Sequence, residues 1–147
     1  MSQTDALASY FARCHCGALS AHYRTGLATS SWSIRLCQCA FCTAHSALST
    51  SDPAGTLTFS AAEPALLQRY QFGTRSADFL ICRACGVFLG AVMTLDSGRR
   101  GVLNVRTLQP IPADLPGPQA MHFDGEASQT RAERRVARWT PLSADSL

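Results

Sequence analysis

The sequence contains no lysine: all thirteen of its basic residues are arginines. Against ten acidic residues they leave a net charge of +3, too small by itself to drive binding to nucleic acid or an anionic membrane. The missing lysine reads as genome-wide codon bias rather than function. Long apolar runs are missing as well. The longest, Val87 to Met93, falls far short of the roughly 20 residues of a membrane-spanning helix. Met1 to Phe11 carries Asp5 and lacks the apolar core of a signal peptide. These absences argue against a membrane protein and leave a cytoplasmic location as the expectation. Helical periodicity is scarce, and no internal repeat or domain boundary is visible. With 46% hydrophobic and 16% charged residues, the 147-residue chain reads as one soluble globular domain, residues 1–147, large enough to bury its own core.

No cysteine lies outside three short clusters. Cys14-His15-Cys16-Gly17 comes first, Cys37-Gln38-Cys39-Ala40-Phe41-Cys42 second, and Cys82-Arg83-Ala84-Cys85-Gly86 last. In a reducing compartment clustered thiols are metal ligands or catalytic groups more often than disulfides, and an odd total of seven cannot pair completely. Structural zinc takes four soft ligands, whereas catalytic zinc takes three protein ligands and keeps a position open. The grouping of two, three and two therefore predicts two zinc ions per chain. Cys14, Cys16, Cys82 and Cys85 close one structural site resembling a split zinc ribbon, and Cys37, Cys39 and Cys42 hold the other ion. Gly17 and Gly86 are placed where the chain needs a left-handed conformation after the second thiol of each pair.

The triplet combines an i,i+2 step with an i,i+3 step, which no single helix or strand brings to one face. A loop folded round one ion does. His45, three residues on, either closes this site as a fourth ligand or serves as a proton carrier, its unperturbed pKa lying near ~6.5. An activated thiol without metal is a third option. His22 falls on the polar side of a strand, and His122 reads as a core histidine held by a backbone group. Arg131, Arg134, Arg135 and Arg138 recur at helical spacing, as a solvated face or a contact for an anion or partner. Trp32, Trp139 and the phenylalanines are assigned to packing.

Elsewhere the pattern is β. Leu19 to Arg24 and Trp32 to Leu36 alternate apolar and polar residues. Asp52-Pro53-Ala54-Gly55 marks a turn before a strand at Thr56 to Phe59. Further strands are predicted over Leu66 to Phe72, Phe79 to Ile81, Val87 to Met93 and Gly101 to Val105. Pro110 to Pro118 holds four prolines and must be irregular. Only Asp124 to Trp139 looks helical. The expected class is mainly β.

Together these clusters resemble the glutathione-dependent formaldehyde-activating enzyme family, which is shared with centromere protein V. That family is marked by Cys-x-Cys-Gly, then Cys-x-Cys-x-x-Cys, then Cys-x-x-Cys-Gly, and by a late His ahead of a Trp, here His122 and Trp139. The resemblance covers about residues 10–140. It implies a β-tent fold of packed antiparallel sheets, a structural zinc on the outer pairs, and an active-site zinc on the triplet. It also implies a carbon–sulfur lyase activity: condensation of glutathione, or another small thiol, with formaldehyde or another small carbonyl compound. After the triplet the family often has a basic residue and a glycine, where this chain has Thr43-Ala44-His45-Ser46-Ala47. The other branch implies a non-catalytic zinc module that binds a partner.

Overall fold

A computed structural model describes residues 7–147. In chain order the elements are β1 (Ala8–Arg13), β2 (Leu19–Thr25), β3 (Arg35–Cys37), α1 (Ala40–His45), β4 (Ser49–Thr50), β5 (Thr56–Ala61) and β6 (Leu67–Tyr70). There follow β7 (Asp78–Cys82), β8 (Phe88–Leu95), β9 (Gly98–Asn104), β10 (Gln119–Met121), α2 (Ser128–Arg138) and β11 (Thr140–Pro141). The fold is mainly β, as expected. A three-stranded sheet, β1-β2-β5, packs on an eight-stranded one ordered β10-β3-β4-β9-β8-β7-β6, with β11 joined to β9. All pairings are antiparallel except β10 with β3.

Period-2 alternation decides which faces are buried. In β2, Leu19, Ala21, Tyr23 and Thr25 are buried, while His22 and Arg24 face solvent. These inward residues join Leu57 and Phe59 of β5 and meet Leu80, Leu89 and Leu103 of the large sheet in one core. Strand β8 is buried from Phe88 to Met93, so it reads as an apolar run without alternation, as a strand covered on both faces does. The register between β7 and β8 slips, Leu80 facing Gly90 but Ile81 facing Phe88. Leu89 is the extra residue of that bulge. It joins the inter-sheet core, whereas Phe88 packs with Cys42 and Ala47 on the opposite side.

Three expectations need correction. Helix α1 was not foreseen, because six residues are too few to display a helical period. The predicted strand over Leu66–Phe72 shrinks to Leu67–Tyr70, since Pro64–Leu66 form a 3-10 turn. The alternation at Trp32–Leu36 is real in burial, but only Arg35–Cys37 is paired strand. Among the described residues no helix is long and apolar enough to cross a membrane.

The two sheets touch most closely where Phe59 lies on glycines. A Cβ on Gly90 would sit 2.4 Å from the Val102 carbonyl oxygen and 2.7 Å from the Phe59 ring. Gly90→Ala is therefore expected to force the sheets apart and destabilise the protein by about 1–3 kcal/mol. Thermal denaturation checks this; a variant as stable as the parent would show that Phe59 can move aside.

Candidate functional site

The first thiol set is built from two hairpin turns on different sheets. Cys14 and Cys16 occupy the turn between β1 and β2, and Cys82 and Cys85 the end of β7 and the turn into β8. Both turns close by backbone bonds, Gly17 N–H to Cys14 O at 3.1 Å and Gly86 N–H to Cys82 O at 2.8 Å. Their glycines have φ of 85° and 81°, the left-handed conformation the sequence called for. The Leu19 amide points at Cys14 Sγ, 3.2 Å away, stabilising negative charge on that sulfur. All four sulfurs lie within 4.8 Å of one another. Cys16 Sγ is 3.7 Å from Cys14 Sγ and 3.6 Å from Cys82 Sγ. A tetrahedron with metal–sulfur bonds of about 2.3 Å has edges of about 3.8 Å, so the donor set fits one metal ion. The two halves sit on separate sheets, which one ion held there would join.

The triplet forms where β3 ends and α1 begins. Cys37 is the last residue of β3, Cys39 caps α1 by accepting from the Cys42 amide at 3.4 Å, and Cys42 lies in the first turn. A strand end followed by a helix start thus brings together three residues that neither element could align alone. Their sulfurs lie within 4.8 Å of one another. A hydrogen bond from the Cys42 thiol lowers Cys37 to about 5, and the same bond, with burial, pushes Cys42 up. Burial likewise raises Cys39. Three thiolates this close repel one another unless a cation sits among them, so this set too could bind a metal ion.

What separates the two sets is their surroundings. The triplet lies on the wall of a cavity of about 790 Å³, a size typical of small-molecule sites, and the four-thiol set does not line it. Beside the triplet stands an aromatic wall. Phe41, Tyr70 and Phe72 stack with interplanar angles of 22–26° and centroids 5.1–5.8 Å apart, with Phe79 and Phe88 against Phe41. Arg35 and the α2 residues Arg131, Arg134 and Arg135 also line the cavity.

This placement corrects several readings. His45 is not brought to the sulfurs: it belongs to neither ligand set and does not line the cavity. Residues four apart are neighbours on a helix, so its exposed ring rests on Phe41, centroids 4.5 Å apart, rather than over Cys42. His122 is exposed, not a core histidine. Arg131, Arg134 and Arg135 are not a solvated face, and only Arg138 of the four is exposed. Seven of the aromatics assigned to packing or strand pattern line the cavity: Phe41, Tyr70, Phe72, Phe79, Phe88, Phe123 and Trp139.

Neither a protein-family profile nor a curated protein matches the chain. A crystal structure of a Rhodobacter sphaeroides protein, solved as a structural genomics target, is similar to it. The two share 27% identity with a TM-score of 0.57, covering 76% of this chain and 99% of the other.

The two thiol sets should respond differently to mutation. The four-thiol set spans a long stretch of chain, Cys16 and Cys82 being 66 residues apart, and joins the two sheets. Structural zinc in small domains contributes about 10–16 kcal/mol of apparent binding free energy, as much as a whole domain's net stability of about 5–15 kcal/mol. Cys85→Ser is expected to give unfolded or insoluble protein. Cys39→Ser is expected to stay folded with one metal ion lost, since the triplet ties down little chain. Metal analysis and circular dichroism decide; an unfolded Cys39→Ser beside a folded Cys85→Ser would reverse the two roles.

Proposed function

We propose that the protein is a zinc-dependent enzyme of the carbon–sulfur lyase type, joining a small thiol to a small carbonyl compound or splitting the adduct. Glutathione with formaldehyde is the pair implied by the resemblance to the formaldehyde-activating family. The observation that carries this reading is the asymmetry of the thiol sets. Four sulfurs from turns of two sheets gather away from the cavity, while three sulfurs face a cavity large enough for a substrate.

A zinc ion held by Cys37, Cys39 and Cys42 would supply a place where a thiol loses its proton at neutral pH. The donor set suits zinc, because thiolates are soft and tetrahedral coordination by sulfur is common for it. Three thiolates on a divalent ion leave a negative centre of modest Lewis acidity, which favours thiol handling over demanding hydrolysis. In the forward direction the substrate sulfur forms a bond to the carbonyl carbon and the C=O π bond breaks. The thiol's proton ends on the new hydroxyl oxygen. The reverse reaction breaks the C–S bond and returns the proton to sulfur. The chain's own part is to hold the sulfurs at the strand–helix junction and to shield the reacting atoms with the aromatic wall.

A nucleic-acid-binding module would need its arginines outward, and three of the four on α2 line the cavity. The enzyme reading is tested by adding purified, zinc-loaded protein to glutathione and formaldehyde and following adduct formation against the uncatalysed rate. Acceleration is expected, lost in Cys39→Ser while the circular dichroism spectrum is kept. No acceleration with any small thiol or aldehyde, with two zinc ions bound, would sink it.

A further inference from the structure

Two guanidinium groups in the cavity lack the partners their burial demands. Arg135 is 7% exposed. Its Nη1 donates to Ser76 Oγ at 2.8 Å and approaches Met93 Sδ at 4.0 Å, and its plane lies 4.7 Å over the Trp139 ring. Its Nε is buried and has no acceptor. Arg131, one helical turn earlier, is in the same condition: Nη2 donates to the Phe123 carbonyl at 3.0 Å, while Nε is buried without an acceptor. Both residues line the cavity.

Nearby acid does not resolve this. Glu126 is held by Arg134 through bonds of 3.0, 3.0 and 3.3 Å and lies 3.8 Å from Arg131 Nη1. Among the described residues, Arg135 and Arg35 have no carboxylate within ion-pair distance. A buried charge without a counter-ion, and a buried N–H without an acceptor, are each strongly unfavourable. A planar guanidinium edge matches a carboxylate, whose two oxygens accept in parallel. Across the same cavity stand the near-parallel rings of Phe41, Tyr70 and Phe72. They offer a face for a flat apolar body, with the Tyr70 hydroxyl as their one hydrogen-bonding group.

We propose that the cavity binds an organic carboxylate with an aromatic body, its carboxylate on the Arg131–Arg135 edge and its ring on the Phe41–Tyr70–Phe72 wall. This rests on the reading above only in taking that compound as the substrate presented to the triplet; the binding itself is independent of turnover. An aryl-substituted carbonyl or thiol acid then suits the site better than glutathione does.

The test is calorimetric titration of the zinc-loaded full chain with 3-phenylpropanoate, 3-phenylpropanamide and propanoate. The acid is expected to bind about tenfold or more tightly than the amide, since a charge-assisted pair is worth more than about 1.4 kcal/mol. It should also bind about tenfold or more tightly than the ring-less acid, since it alone has a phenyl ring to take out of water against the aromatic wall. Arg135→Gln should erase the preference for acid over amide. Because Arg135 is buried and its variant can misfold, Phe72→Ala provides a second arm: it should weaken the acid and the amide alike and leave propanoate unchanged. Equal binding of acid and amide, or no binding of the acid at millimolar concentration, overturns the proposal. Catalysis with glutathione and formaldehyde alongside failed acid binding would discard this inference alone. Acid binding without any thiol–carbonyl turnover would discard the reaction and leave the anion site standing.

Discussion

Four sulfur atoms within 4.8 Å of one another bring the turn of one sheet against the turn of the other, where one metal ion could join them, and the rest of the architecture is arranged around that junction. The three-stranded sheet meets the large one through a shared apolar core, in which Phe59 lies against two glycines. Alignment of β5 over β8 and β9 is therefore set at one end by Cys14, Cys16, Cys82 and Cys85 and in the middle by that close approach. With the small sheet fixed on one face of β8, the opposite face is free to carry the cavity. The bulge at Leu89 allows Phe88 to point into it while its neighbour points into the inter-sheet core.

The thiol architecture could be read from the sequence because metal chemistry leaves local marks: two cysteines with one or two residues between them, then a glycine. So could β2, β5 and β9, whose alternation or apolar content reports burial directly. The cavity could not, because its walls come from β6 and β7, from β8, and from the segment around α2, which nothing local relates. Helix α2 misleads for a further reason. A surface helix turns its polar side to water, yet here Arg135 is 7% exposed while Val136 beside it is 37% exposed. Its charged stripe faces inward, and helical spacing alone carries no sign of which way a stripe faces. His45 misleads by proximity along the chain, since on the helix its ring lies on Phe41, four residues back, and not with the sulfurs.

Charges of both signs thus face one cavity, the triplet sulfurs with Asp124 and Glu126, and the guanidinium groups of Arg35, Arg131, Arg134 and Arg135. Burial depresses Arg135 and Arg35 to about 10, still far above neutral pH, so both stay charged. The field inside is shaped by groups that cannot discharge themselves by losing a proton. Aromatic rings lining the same cavity exclude water and strengthen that field, which is the condition under which a bound anion is oriented rather than merely attracted.

The spacing of the two thiol sets also sets an order of events on the ribosome. The triplet is complete once residue 42 has emerged, whereas the four-thiol set cannot close until residue 85 follows. Closing a loop of five residues also meets a smaller entropic barrier than closing one of more than sixty. A nascent chain therefore has its cavity thiols together before the thiols that bridge the two sheets exist together. Were both sets to take up metal ions, supply of the ion during synthesis would bear on the triplet first, and on the joining of the two sheets only after residue 85.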